Sequence, residues 1–243
     1  MATHSATFAA RSQSRSSASL FYPGMAAFAA AVIIFGFART YYLKEFFRTP
    51  SLPLLVHLHG AVMTTWMGLF IAQTTLVEKG RIDIHRRLGV VGAFLAAAII
   101  IIGPVVAVHA VQRGHHPPGV NPLTFMAVPL GDIVVFGTLV GTALLYRRRP
   151  ELHKRLMLVG TIAILPPGVA RWPLQFLPQS PLFFFGFPDL VLLGCITYDY
   201  AKTHRLNPAF AWGGLLLIAS HPLRLMLSGT SAWMSFAHWI TGM

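Results

Sequence analysis

The chain has few charged residues and almost no cysteine. Of its 243 residues only 11% are charged while 55% are hydrophobic, whereas a soluble globular domain carries about 25% charged residues. Together with a mean hydropathy of +0.62, this composition indicates an integral membrane protein. The single cysteine, Cys195, excludes an intrachain disulfide and any metal cluster built from cysteines.

Acidic residues are especially scarce. Asp and Glu number 7 against 19 Lys and Arg, which gives a formal net charge of +12. In a soluble protein such an excess would suggest a polyanionic partner such as nucleic acid. In a chain of membrane helices, however, Lys and Arg accumulate in the cytoplasmic loops. We therefore predict contact with a lipid bilayer and no nucleic-acid partner.

Several catalytic motifs are absent from the sequence. It contains no Walker or Gly-x-Gly-x-x-Gly loop, no Gly-x-Ser-x-Gly nucleophile motif and no His-Glu-x-x-His metal motif. The last apolar run contains no lysine that could form a Schiff base with retinal. The loops predicted on the cytoplasmic side are too short for a catalytic domain. Whether the protein is an enzyme stays open.

The apolar runs predict an all-α, polytopic membrane protein with about seven transmembrane helices, because each run is close to the ~20 residues that a span requires. The first residues are rich in Ser, Ala and Arg and contain no acid. We interpret 1–20 as a disordered cytoplasmic tail and 21–243 as a single transmembrane domain. The predicted spans are 20–43, 53–77, 87–111, 123–146, 153–177, 182–201 and 208–228, the fifth of them kinked at Pro166 and Pro167.

The basic residues predict the orientation of these spans. With seven crossings, most Lys and Arg fall in the loops on one side, and the positive-inside rule assigns that side to the cytoplasm. We therefore predict a multi-pass protein of the inner (plasma) membrane, with the N-terminus cytoplasmic and the C-terminus outside. The aromatic, uncharged segment 228–239 is typical of an anchor in the outer interface.

One stretch of sequence occurs twice. Residues 81–92 (RIDIHRRLGVVG) and 149–160 (RPELHKRLMLVG) share R-x-[D/E]-x-H-[R/K]-R-L-x-x-V-G at an offset of 68 residues. Each copy opens an apolar run, which predicts two copies of one helical hairpin at 53–111 and 123–177. Two such hairpins would form a four-helix core around a pseudo-two-fold axis along the membrane normal.

The repeat places two equivalent histidines, His85 and His153, at the start of two core helices. Such a pair predicts the axial ligands of a haem b. The alternative is purely structural, because Asp83 and Glu151 favour helix N-termini and an interfacial histidine needs no ligand. The basic residues beside the histidines would pair with haem propionates in the first case and with lipid headgroups in the second. They are Arg86, Arg87, Lys154 and Arg155.

Further ionisable residues fall in the half of the spans predicted to lie toward the outside. Such side chains in lipid usually face a bundle interior or a water-filled cavity, so we predict an outer polar cluster. It would form either buried ion pairs that fix helix register or a site for a quinone headgroup or an anionic substrate. Its predicted members are Asp132, Arg171, Asp189 and Arg224.

Histidines inside the spans offer a second possible metal site. His59, Trp66 and Gln73 recur at seven-residue intervals, so they line one face of the second span. Together with His109 and His221, His59 could bind copper, iron or zinc, because imidazole suits these ions.

The motifs resemble those of an uncharacterised family of bacterial multi-pass membrane proteins that is known only as a domain of unknown function. The shared features are Gln73 before a basic loop, His85-Arg-Arg-Leu-Gly, and His153-Lys-Arg-Leu-Met followed by Arg171. The resemblance covers approximately residues 57–175. It implies a membrane location and says nothing about chemistry.

The chain is also faintly similar to cytochrome b561-like proteins, whose four-helix cores hold haems between facing histidines. Ala127 and Leu177 stand where a symmetric second hairpin would repeat two of the histidines, so the similarity implies one haem at most. The ligand candidates that it implies are His59, His85, His109 and His153.

Three functions follow from these features. The first is a membrane redox protein that binds one haem b or a metal, with the outer polar cluster exchanging electrons or quinone. The second is a non-enzymatic accessory or assembly subunit of a larger membrane complex. The third is a small-solute transporter that uses the outer cluster as a gate.

Overall fold

The computed structural model describes residues 20–117, 119–173 and 180–243. Over these ranges the protein is all-α and contains no strand, and six helices are long and apolar enough to cross a membrane. Almost all of the predicted tail, 1–20, lies outside the described residues. The helices are α1 (Phe21–Phe37), α2 (Leu54–Glu78), α3 (Ile82–Gln112), α4 (Pro122–Phe125), α5 (Ala127–Leu145), α6 (Pro150–Ile162), α7 (Pro166–Val169), α8 (Pro181–Thr203), α9 (Pro208–Ser228) and α10 (Ser231–Thr241).

Two hairpins form the centre of the bundle. Helix α2 packs against α3, α5 packs against α6, and α3 and α5 join the two pairs. Helix α9 lies against both α5 and α6, while α1 lies against α2, α6 and α7. The two repeat helices begin at equivalent positions, because Arg81 precedes the first residue of α3 and Arg149 precedes the first residue of α6.

The fifth predicted span requires a correction. We expected one kinked helix over 153–177, but α6 ends at Ile162, a turn follows, and α7 covers only Pro166–Val169. Pro166 and Pro167 explain the break, because proline lacks the amide hydrogen that would continue α6 and it clashes with the preceding turn. Residues 174–179 lie outside the described part. Six helices of spanning length are therefore present, and the seventh span is not confirmed.

The broken segment lies inside the protein. Leu158, Leu165 and Val169 are at most 1% exposed, although the backbone between α6 and α7 is not helical. Irregular backbone at membrane depth is tolerated where it is buried in protein, since no water there can bond its free polar groups. The burial of this segment is consistent with that requirement.

Helix α1 covers the break through two glycines. A Cβ atom built on Gly36 would collide with the carbonyl oxygen of Gly168, so the two backbones touch. Small residues allow this close approach, and van der Waals packing of this kind drives helix association in membranes.

A buried ion pair joins α6 to α8. Arg155 is 2% exposed, and its Nε donates to both carboxylate oxygens of Asp199 at 3.1 and 3.0 Å. The same guanidinium donates to the carbonyl of Glu151 at 2.8 Å. Arg155, which we considered as a partner for a haem propionate, is therefore already paired within the protein.

The predicted C-terminal anchor is the helix α10. Trp233 donates its indole N–H to the carbonyl of Leu123 at 2.9 Å, and Gln112 donates to the carbonyl of Thr241 at 2.9 Å. These bonds hold one face of α10 against the ends of α3 and α4, while Trp239 on another face is 78% exposed. A short helix with one packed face and exposed aromatic residues is typical of the membrane interface.

The glycine contact predicts a position-specific effect on stability. Gly36→Ala should destabilise the protein by about 1–3 kcal/mol, because the added methyl group collides with the backbone of α7. Gly24→Ala in the same helix is the matched control, since a Cβ there meets nothing within 4 Å. Thermal unfolding in detergent micelles, followed by circular dichroism, measures both variants. Equal melting temperatures for the two would contradict the contact.

The buried ion pair predicts a second effect. Asp199→Asn should cost about 2–3 kcal/mol, because the buried Arg155 guanidinium then keeps as its counter-charge only the Glu151 carboxylate, whose side chain is 64% exposed. Asp83→Asn removes a carboxylate from the exposed pair with Arg81 (3.7 Å, side chains 64% and 58% exposed) and should change stability by less than about 0.5 kcal/mol. Denaturant titration in micelles compares them. A small effect at Asp199 would show that the pair does not hold α8 in place.

Candidate functional site

The histidines of the two repeats face each other. The rings of His85 on α3 and His153 on α6 have centroids 6.4 Å apart, and their planes meet at 79°. Both rings are half-buried. The repeat therefore brings together the pair that its symmetry predicts, at the end of the bundle where α3 and α6 begin.

The ring of His153 has a defined tautomer. Its Nδ1 lies 2.8 Å from the carbonyl oxygen of Ala143 on α5. A carbonyl only accepts hydrogen bonds, so Nδ1 carries the proton and Nε2 keeps a free lone pair. Metal-ligating histidines use this arrangement, because a bond from the second nitrogen fixes both the tautomer and the ring orientation.

The ring of His85 is less constrained. The backbone of Gln73 on α2 interacts with its imidazole, but its Nδ1 is buried without a well-aligned hydrogen-bond partner. Thus each ring lies against the backbone of the helix that precedes its own, but only His153 makes a well-aligned hydrogen bond there.

One face of α2 carries further polar atoms toward the core. His59 Nδ1, Trp66 Nε1 and Gln73 Oε1 are all buried without a hydrogen-bond partner. The Trp66 ring meets Phe136 of α5 at 5.0 Å, so this face points between the two hairpins. Buried polar atoms normally have partners in protein or ordered water. An interior face with three orphaned atoms therefore suits water or the polar groups of a ligand.

The second group of polar residues is a network between α5, α8 and α9, and we call it the outer network. Arg224 on α9 pairs with Asp132 on α5 and donates to Ser220 Oγ at 2.7 Å and to the carbonyl of Val128 at 3.2 Å. Asp132 is 4% exposed and Arg224 is 5% exposed. For Asp132 and Arg224, this contact is the buried ion pair that was one of the two alternatives for the predicted outer polar cluster.

Aromatic stacking ties the ion pair to a second polar contact. The Phe185 ring stacks on the His221 ring at 4.2 Å with 13° between the planes, and the Arg224 guanidinium lies 5.2 Å from the centre of Phe185. His221 Nδ1 lies 3.2 Å from Asp189 Oδ2. Sequence reasoning missed Phe185, because an aromatic residue in an apolar run carries no signal of its own.

Arg171 makes its contacts elsewhere. Its guanidinium donates to the carbonyl of Pro167 at 2.7 Å and lies 4.6 Å from the centre of the Phe37 ring. It is close enough to His59 for an electrostatic interaction. We grouped Arg171 with the outer network, and its described contacts are instead with α1 and with the residues around α7.

The three-histidine metal site is not assembled. Within the part of the chain that the structure describes, no three His, Cys, Asp or Glu side chains lie where they could share a metal ion. His221 belongs to the outer network, His59 to the polar face of α2, and His109 is half-buried near the end of α3.

Comparisons with family models, with curated proteins and with solved structures find no match to this chain. The two resemblances drawn from the histidine motifs therefore stay predictions. What the protein can do has to be inferred from the geometry of its own residues.

Proposed function

We propose that this chain is a multi-pass membrane redox protein that binds one haem b, with His85 and His153 as its axial ligands. The observation that carries the proposal is the 6.4 Å separation of the two rings. The residues come from equivalent positions of two helices that begin with the same motif, so they would hold one haem between them.

The 6.4 Å between the two ring centres is close to the distance expected for two histidines bound to one metal ion. Metal–imidazole bonds are about 2.0–2.1 Å long, so two rings bonded to opposite sides of one ion have centres about 6 Å apart. Edge-to-face ring contacts such as that of Trp172 with Phe183 have centres 6.3 Å apart as well, so the separation alone does not require a metal ion. The lone pair on His153 Nε2, set by its bond to Ala143, adds a donor of the right type.

The protein contributes binding and orientation in this proposal. A haem with two histidine ligands supplies one-electron oxidation and reduction. His153 is held by the carbonyl of Ala143, and the exposed side chains of Arg86 and Arg87 are available for the propionates. The outer network would be the place where an electron or a quinone is exchanged at the other end of the bundle.

The topology forms part of the same proposal. In it, α6, α7 and the residues after them make a fifth, broken crossing, so that seven crossings put the basic loops in the cytoplasm and the C-terminus outside an inner (plasma) membrane. The burial of α7 behind α1 supports this assignment. The matching starts of α3 and α6 support a duplicated four-helix core.

The visible spectrum tests the proposal. Protein purified from haem-replete cells should show a Soret band with one haem per chain, and the band should be lost in His85→Ala and in His153→Ala, because each removes one axial ligand. Added imidazole should restore part of the band in both variants. Such rescue also shows that the variants are folded.

Two control variants sharpen the test. His109→Ala and His57→Ala remove half-buried histidines that lie outside the facing pair, so both should keep the full Soret band. A colourless wild-type protein without bound metal would overturn the proposal. In that case, stoichiometric copurifying chains would favour an accessory subunit, and solute uptake that depends on Arg171 would favour a transporter.

A further inference from the structure

Three acceptor atoms of the outer network receive no hydrogen bond. Asp132 Oδ2, Asp189 Oδ1 and His221 Nε2 are buried and have no hydrogen-bond partner. His221 and Asp132 are each 4% exposed, and His221 is close enough to interact electrostatically with Asp132. Three acceptors without a donated hydrogen form an incomplete polar network, and incomplete networks are costly in a low-dielectric interior.

The charges of the outer network also indicate that it is incomplete. Arg224 contributes one positive charge, while Asp132 and Asp189 contribute two negative charges if both are ionised. With a neutral His221 the network would carry one net negative charge between membrane helices. An uncompensated buried charge is expensive, and such groups neutralise by taking up a proton instead.

We propose that the outer network binds one proton, shared by Asp189 and His221. The proton comes from water and adds either to His221 Nε2 or to the Asp189 carboxylate, and no electron moves. In both forms the network becomes neutral and gains the donor that it lacks. The Arg224–Asp132 pair keeps its own charges, because Arg224 makes direct hydrogen bonds to Asp132, Ser220 and Val128.

The bound proton can reach the surface of the protein through Asp189. The Asp189 side chain is 22% exposed whereas that of His221 is 5% exposed. The site is therefore a buried imidazole behind a carboxylate that is partly exposed at the surface of α8.

The inference is independent of the haem. In this inference the proton stays bound because it neutralises the whole network. The contact between Asp189 and His221 is not sufficient to keep it. Asp132→Asn changes a residue on another helix and leaves both partners of that contact in place. It nevertheless makes the network neutral without an added proton, so the proton should be lost.

The experiment measures protonation at neutral pH in the full-length protein in nanodiscs. Nitrogen-15 NMR of labelled histidine reports an imidazolium at His221, assigned by its loss in His221→Gln. Infrared spectroscopy reports a protonated carboxyl group at Asp189, assigned by its loss in Asp189→Asn. We expect one of these two signals in the wild type, its loss in Asp132→Asn, and no change in Asp83→Asn, where the lost carboxylate is exposed.

A second variant keeps the test valid if Asp132→Asn does not fold. Arg224→Gln removes the positive charge, so the network should bind one additional proton and an additional carboxyl signal should appear. A neutral His221 with an ionised Asp189 in the wild type would overturn the proposal. Retention of the proton in Asp132→Asn would overturn it as well, because the contact alone would then hold it.

Discussion

The cost of placing charge inside a membrane bundle governs this structure. The chain has only 7 acidic residues, and Asp132 and Asp199 are both buried against an arginine. Each ion pair joins helices that are distant in sequence, α6 with α8 and α5 with α9. Removing one partner of such a pair costs far more stability than replacing the whole pair by apolar residues. The ion pairs therefore contribute more to determining which helices are neighbours than to the net stability of the fold.

The same constraint applies to the backbone. The break between α6 and α7 frees polar groups that lipid cannot satisfy, so the broken segment has to be enclosed by protein. The contact between Gly36 and Gly168 lets α1 approach closely enough to enclose it. The Arg155–Asp199 pair holds α8 against α6. A bundle with one broken segment thus needs packing on both sides of that segment.

Local sequence patterns predicted the parts of the fold that depend on neighbouring residues. Apolar run length predicted the long helices, and the repeat predicted that His85 and His153 would face each other. The break after Ile162 was predicted only as a kink, because two prolines show that a helix is disturbed but not how burial resolves it. The pair of Arg155 with Asp199 was missed, since hydropathy does not tell which faces of nonadjacent helices meet. For the same reason the contacts of Arg171 with α1 and α7 were not foreseen, as its depth was known but its direction was not.

The two polar sites differ in their relation to the repeat. The histidine pair uses one residue from each copy, so the repeat builds it directly. The outer network has no such symmetry: the position that the repeat pairs with Asp132 is Thr64, whose hydroxyl donates to the carbonyl of Gly60 in its own helix at 2.7 Å. The partners of Asp132 come instead from α9, which lies outside both copies. The histidine pair therefore draws on both copies of the motif, whereas the outer network joins only one of the two hairpins to α8 and α9.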